Sequence, residues 1–303
     1  AMDDGDLLPS VSLTRRIGED MNIRCAYGKT LVRPSLREKA SYKTEAYAGG
    51  PSFMGNRDLK RSLIHNLDAR YEWFFSEGGL FSASVFYKKI KEPIEVNFLL
   101  NDIRQPKNTD NDAVIHGLEF EFRRKMDMIA LLKDLSFSGN LTLSASEVKL
   151  DERMDKLEHY FPEDREGSDS FMEKIPYFGD FFRRYDNGDK SRPFQGQSPY
   201  VLNLFLTYDN TSSGTNVNLY LNRFGERLAD LTDEKKAWMW EKAYTNINLT
   251  LSQEVIQNLK LSAKIKNVLG ADKKKVHYYN DEEYTISEED KRPSFSAGLS
   301  YKF

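Results

Sequence analysis

Few side chains in this sequence are spaced for covalent chemistry. The four histidines, His65, His116, His159 and His277, lie far apart. A hydrolase needs a nucleophile beside an oriented base, and neither Gly-x-Ser-x-Gly nor His-Glu-x-x-His occurs. The single cysteine, Cys25, sits in an alternating stretch where packing is the ordinary role, and there is no Cys/His metal spacing. Glu282, Glu283, Glu288, Glu289 and Asp290 offer the hard oxygen ligands that calcium takes. They lack calcium-loop spacing and read as a solvated charge run. No catalytic residue, metal site or cofactor is expected.

Recognition chemistry is better represented. A long stretch at 149–195 carries His159, Tyr160, Phe161, Tyr177, Phe178, Phe181, Phe182, Arg183, Arg184 and Tyr185. Aromatics interleaved with arginines favour binding surfaces, and ligands enter at the mouths of barrels; the alternative is a loop packed on itself. Trp238 and Trp240 flank Met239 after Lys235-Lys236. They either anchor the chain at a membrane interface, where indoles gather, or contact a ligand. Trp73, Phe74 and Phe75 close a strand at a short turn, as an aromatic girdle would.

The elements that must hold these residues are strands. Leu135, Phe137, Gly139, Leu141, Leu143 and Ala145 alternate with Ser136, Ser138, Asn140, Thr142, Ser144 and Ser146. Side chains point to opposite faces along a strand, so one face is apolar and the other small and polar. Val217, Leu219 and Leu221 repeat the pattern against Asn216, Asn218, Tyr220 and Asn222; Leu259, Leu261, Ala263 and Ile265 repeat it against Lys260, Ser262, Lys264 and Lys266. About eleven strands are expected, over 8–16, 22–30, 61–75, 80–91, 113–125, 135–148, 196–209, 215–223, 243–253, 258–269 and 293–303. Connections sort by length. Short turns fall at Gly18-Glu19-Asp20, Ser76-Glu77-Gly78-Gly79, Asp209 to Gly214 and Gln253 to Gln257; long loops fall at 31–60, 92–112, 149–195, 224–242 and 270–292. Short turns at a periplasmic rim and long extracellular loops are the layout of outer-membrane barrels.

Bulk composition agrees. Hydrophobic residues are 39%, charged residues 30%, and mean hydropathy is -0.64. The longest apolar run, Met128-Ile129-Ala130-Leu131-Leu132, is far too short for a helical span. A net charge of -3 lacks the basic footprint of a nucleic-acid binder. A complete bacterial barrel has an even number of strands and begins and ends in the periplasm. An odd count that starts on the long-loop side predicts a cut barrel, with its export signal upstream. Eleven is half of the roughly 22 strands of plugged outer-membrane transporters. Alone, two open edges would each leave about five donors and five acceptors unpaired, so a stable open sheet in lipid is not expected.

Motifs along the chain resemble the C-terminal barrel portion of TonB-dependent outer-membrane receptors, especially the type common in Bacteroidetes. Leu7-Leu8-Pro9-Ser10 opens a strand in the familiar way, and Tyr27-Gly28-Lys29-Thr30-Leu31-Val32-Arg33-Pro34-Ser35 resembles Y-S-K-T-x-x-R-P. Gly55-Asn56-Arg57-Asp58-Leu59-Lys60 resembles G-N-P-D-L-K, with Arg57 in place of proline. His116-Gly117-Leu118-Glu119-Phe120-Glu121 resembles G-x-E-x-E, and Gln195-Gly196-Gln197-Ser198-Pro199-Tyr200 resembles Q-G-Q-S-P-Y. Lys266-Asn267-Val268-Leu269 resembles the penultimate N-L-L segment, followed here by Gly270. Phe295, Leu299, Tyr301 and Phe303 resemble the C-terminal assembly signal of such barrels, an apolar edge strand offered for strand addition.

The resemblance implies an all-β fold: an antiparallel transmembrane barrel segment forming one region over 1–303, about half of a 22-stranded barrel. It implies an importer that binds a siderophore, glycan, peptide or cofactor with extracellular loops, and that admits it when force displaces a plug. No enzyme activity is implied. The plug and the first half of the barrel have no counterpart in the chain. The implied partners are outer-membrane lipid, the TonB energy-coupling complex through the plug, the barrel-assembly machinery and a surface lipoprotein; nucleic acid is not among them. The implied location is the outer membrane of a Gram-negative cell. Rival expectations are an independent small barrel serving as a passive pore or adhesin, and a soluble β-sheet binding module. The polar face and rim-sorted loops argue against the module, whose second face would be buried in a sandwich.

Overall fold

The computed structural model describes residues 5–45, 50–99, 102–127, 132–149, 191–232, 238–279 and 282–302. Its strands are β1 (Ser10–Ile17), β2 (Met21–Val32), β3 (Lys43–Glu45), β4 (Ser52–Met54), β5 (Ser62–Ser76), β6 (Gly79–Lys91), β7 (Ile94–Leu99), β8 (Ile103–Asn108), β9 (Ala113–Lys125) and β10 (Leu135–Lys149). They continue with β11 (Ser191–Arg192), β12 (Tyr200–Asn210), β13 (Thr215–Phe224), β14 (Arg227–Thr232), β15 (Met239–Glu241), β16 (Tyr244–Ile256), β17 (Leu259–Lys266), β18 (Lys273–Tyr279), β19 (Glu282–Glu289) and β20 (Ser294–Tyr301). One helical turn, α1 (Leu36–Lys39), follows β2.

Eleven strands form an antiparallel meander in the order β1-β2-β5-β6-β9-β10-β12-β13-β16-β17-β20, with β11 added to β10. These are the eleven expected strands. The main difference lies at 196–199, read as strand from the sequence. There the Ser198 hydroxyl donates to the carbonyls of Tyr200 (2.8 Å) and Gly225 (2.9 Å), and this local bonding competes with extended pairing. Among the described residues β1 and β20 are the two free edges of the sheet.

Register fixes which side chains share a face. Phe137, Leu206, Leu219, Leu249, Ile265 and Phe295 line up across six strands. Much of this apolar face is open, with Leu13 70% and Phe295 75% exposed, too large an apolar surface for water alone to cover comfortably. At the short-turn rim, Trp73, Phe75, Phe122 and Phe137 follow one another at ring separations of 5.3, 5.9 and 6.0 Å, the middle pair stacked and the other two tilted. That is an aromatic band where the girdle was expected. The short turns themselves need left-handed backbone, supplied by Gly18, Gly78, Gly214 and Asn258.

The long loops hold structure that the period-two reading did not give. Those at 31–60, 92–112, 224–242 and 270–292 contain α1 and contribute eight strands to a second sheet, in the order β19-β18-β15-β14-β7-β8-β4-β3. Two of its joints are parallel pairings between distant segments, Leu231 with Asn97 and Ser52 with Ile103. Strands of three to eight residues give too few alternations to stand out, and pairings this distant leave no local mark in the sequence.

Candidate functional site

The second sheet sits at one rim of the large one, and buried polar joints hold it there. The Glu95 carboxylate accepts from Arg192 Nη1 (2.8 Å), Arg192 Nη2 (2.6 Å), Gln195 N (3.1 Å) and Thr109 Oγ1 (2.5 Å). A buried charge survives only when paired and bonded to this degree. Gln195 also bridges two strands, accepting from Val96 N (2.6 Å) and donating to the carbonyls of Val96 (2.9 Å) and Ala229 (2.8 Å). Asp230, buried on β14, takes Arg104 of β8 at 3.0 Å and Lys275 of β18 at 2.9 Å.

A third joint is titratable. Lys242 Nζ donates to the Tyr278 hydroxyl (2.9 Å) and pairs with Glu226 (3.2 Å) and Glu283 (2.9 Å), while Tyr278 donates to Glu226. Burial opposes the charge on Lys242, but these partners outweigh it and hold its pKa well above the ordinary lysine value. Burial, then the adjacent Glu226 charge, pushes the Tyr278 phenol up to about 12.

Trp238 and Trp240 are buried here, 8% and 4% exposed, packed with Leu228, Leu231, Val276 and Tyr278. The Arg192 guanidinium lies 6.0 Å from the Trp238 ring. Both indoles therefore hold the second sheet together, neither standing at an exposed interface. Tyr160, Phe161, Tyr177, Phe178, Phe181, Phe182, Arg183, Arg184 and Tyr185 lie outside the described residues, as does Phe303. Phe295, Leu299 and Tyr301 project from the apolar side of the edge strand β20, all exposed. In the acidic run, Glu283, Glu288, Glu289 and Asp290 are engaged by Lys242, Lys274, Lys291 and Arg292.

Below the loop sheet, the polar face of the meander forms an inner wall in three sectors. On β2, β5 and β9 it carries ion pairs: Glu72 takes Arg24 at 3.2 Å and Arg70 at 3.0 Å, and Arg70 reaches Glu121 at 2.8 Å. On β10, β12 and β13 it is neutral amide. Asn203 donates to Asn140 (2.9 Å) and accepts from Tyr220 (2.9 Å) and Asn222 (2.8 Å), while Thr207 donates to Asn218 (2.9 Å). On β17 it is lysine. Sequence reasoning missed Glu95, Asp230, Glu226 and Tyr278. The one available signal was the Gln195-Gly196-Gln197-Ser198 segment, in which Gln195 bonds Glu95, Val96 and Ala229 and Gly196 N bonds the Leu228 carbonyl.

A sheet of eleven meandering strands, apolar outside and polar inside, with a structured loop platform on one rim, is the wall of a large outer-membrane-type barrel. The family model described as "TonB dependent receptor-like, beta-barrel" matches residues 1–268, and the chain belongs to that family. Among solved structures it is similar to the siderophore receptor PirA from Acinetobacter baumannii: 15% identity, TM-score 0.58, with 98% of this chain and 41% of that one covered. It is also similar to the ferric enterobactin receptor PfeA from Pseudomonas aeruginosa in complex with BCV-L6: 17% identity, TM-score 0.56, 98% and 40% covered. A third likeness is to the ferric-catecholate import receptor Fiu from K12 E. coli: 12% identity, TM-score 0.56, 97% and 34% covered. The chain thus spans about two fifths of the length of these structures or less. No curated protein matches it in sequence.

Proposed function

We infer that this chain is half the wall and most of the loop platform of an energy-coupled outer-membrane importer. The observation that carries this reading is the loop sheet built over a polar inner wall. Buried ion pairs hold that sheet in one geometry, as a binding surface requires. In this reading the aromatic and arginine residues from Tyr160 to Tyr185 contact the nutrient, and Trp238 and Trp240 brace the loop sheet. The solved structures of similar fold are by name a siderophore receptor, a ferric enterobactin receptor and a ferric-catecholate import receptor, which favours a ferric chelate as cargo. The Y-G-K-T-x-x-R-P and G-N-x-D-L-K segments support the Bacteroidetes-type subgroup. A plug outside this chain couples to TonB, the β20 edge meets the assembly machinery, and outer-membrane lipid covers the apolar face.

The test is uptake of radioactive iron by cells carrying the full-length receptor, supplied with a panel of ferric chelates. Accumulation that needs the receptor and stops with a protonophore supports the reading. Uptake of every solute at equal rates regardless of membrane energy would mark a passive pore and sink it.

A further inference from the structure

The outer, apolar face of the meander carries its cations unevenly. Register across β2, β5, β6, β9 and β10 sets two transverse rows on that face, next to the long-loop rim. Tyr27, Leu67, Tyr87, His116 and Ala145 stand side by side in the lower row. Lys29, His65, Lys89, Val114 and Glu147 do so in the row above, and Lys91 stands beside Leu63 one step higher. Three neighbouring strands therefore bring Lys29, His65 and Lys89 within about 10 Å at the usual strand spacing. The Tyr27 hydroxyl is bonded to His65 Nδ1 at 2.9 Å. Tyr87 is 42% exposed, and Lys91 and His116 are exposed as well. Two acids share the neighbourhood. Asp112 pairs with Lys89 at 3.2 Å, and Glu147 closes the row on β10, followed on the same face by Lys149. Lys29 and Lys91 make no ion pair among the described residues. Toward the same rim the outward residues of the other strands are Val11, Tyr200, Arg223, Thr245, Ile265 and Phe295. The only cation among these six, Arg223, donates to the hydroxyls of Tyr200 (3.1 Å) and Thr245 (2.6 Å). At the opposite rim the same face carries Arg15 on β1 and Arg124 on β9, one to a strand.

We propose that Lys29, His65, Lys89 and Lys91 form a binding site for the phosphate of an anionic lipid in the leaflet at the long-loop rim. The proposal rests on the reading that lipid covers the apolar face, and it adds a headgroup to that lipid. Along each strand the outward residues change in the order in which a lipid changes with depth. Leu67 and Val85, 56% and 51% exposed, lie where acyl chains would. Tyr27 and Tyr87 follow at the level where phenols gather between chains and headgroups, and the ammonium row lies above them. A single lysine at a rim reaches up to water and selects nothing. Three lysines and an imidazole on adjacent strands offer one phosphate several charge-assisted hydrogen bonds, as basic pockets for phosphorylated headgroups do. Asp112 and Glu147 offset part of this charge at one end, which leaves Lys29 and Lys91 as the cations free to meet a ligand.

The experiment is lipid retention by the full-length receptor in detergent, read by native mass spectrometry. Diphosphorylated lipid A and the same glycolipid stripped of its phosphates are the two probes. The phosphorylated form is expected to be retained in preference. A unit charge about 7 Å away changes binding of an anion about two- to threefold even in water. Changing Lys29, Lys89 and Lys91 to glutamine together should therefore lower retention of the phosphorylated form by about tenfold or more. Arg15→Gln with Arg124→Gln, on the same face at the other rim, should leave it unchanged. If the triple variant does not assemble, Lys29→Gln with Lys91→Gln touches no ion pair and should still cost about fivefold. An equal loss in the two sets of variants would overturn the site, by showing a general attraction to cations. Equal retention of the two glycolipids would overturn it while leaving lipid on the apolar face. Retention of neither would overturn it together with the lipid reading of that face.

Discussion

Glu95 and Arg192 are separated by 97 residues, yet their side chains meet at 2.6 Å with 1% and 5% of their surface exposed. The pair joins β7, the β11 extension of β10 and the segment leading to β12, so it decides whether two loops behave as one platform. Arg192→Met leaves the carboxylate buried and unpaired. Loss of one partner of a buried pair costs about 3–5 kcal/mol. The expected result is rapid proteolysis within the loops, with the heat-modifiable gel mobility of the barrel unchanged. The double change Glu95→Leu with Arg192→Met should recover part of the loss, because no orphan charge remains.

Gln195 substitutes for a strand at the same junction. Gln195→Ala removes one acceptor from Val96 N and two donors to carbonyls. Groups left unsatisfied in this way cost about 1–3 kcal/mol each. Hydrogen exchange should show the Val96 amide losing protection by about tenfold or more, while the amides of β5 and β6 keep theirs.

The two faces of β13 give opposite expectations. Leu219 belongs to the open apolar row and Asn218 to the amide wall. If lipid covers the apolar side, Leu219→Arg costs about 2–4 kcal/mol near the bilayer midplane, and Asn218→Arg much less. Denaturant titration of the receptor in vesicles measures both. Equal costs would mean that the apolar face meets something other than lipid.

Alkaline pH should loosen the platform through Lys242 and Tyr278. Both groups hold their protons more tightly when folded, so their stabilisation is complete below about 10, near the ordinary tyrosine value. It is lost as pH rises toward 12, the value to which burial and Glu226 push the Tyr278 phenol. Tyrosinate absorbance should show a phenol titrating late, and Tyr278→Phe should remove that late step. The same variant should unfold its loops at a lower pH, since Lys242 loses one of its partners.

How much was legible can be judged from particular residues. The alternation Val217, Leu219, Leu221 against Asn216, Asn218, Asn222 gave β13 within a residue of its observed limits, because a ten-residue strand with one apolar and one polar face repeats the period-two pattern several times. Leu228 and Leu231 of β14 are far more deeply buried, but their six-residue strand is too short to repeat a pattern and gave no comparable signal. The Gln195–Tyr200 and Gly55–Lys60 segments stood out as family-like patterns before their work was visible. In the fold they prove to be joints: Gly55 leaves no room for a Cβ beside the Ala40 carbonyl, and Asn56 donates from its backbone to Glu38 O (2.6 Å) and from its side chain to Pro106 O (3.2 Å).

Period-two patterning determined the strands, their faces and the sorting of short turns from long loops, because each of these depends on neighbours within a few residues. Tertiary structure decided everything that requires distant segments to meet. It made one platform of four loops, gave Glu95 its arginine and Asp230 its two cations, and buried Trp238 and Trp240 instead of exposing them. It also set Arg24 and Arg70 against Glu72 and Glu121 on one part of the polar face and the β17 lysines mostly against serines on another. The strand sequences already held these charges, but only the register between strands determines whether a lysine faces a carboxylate or a serine.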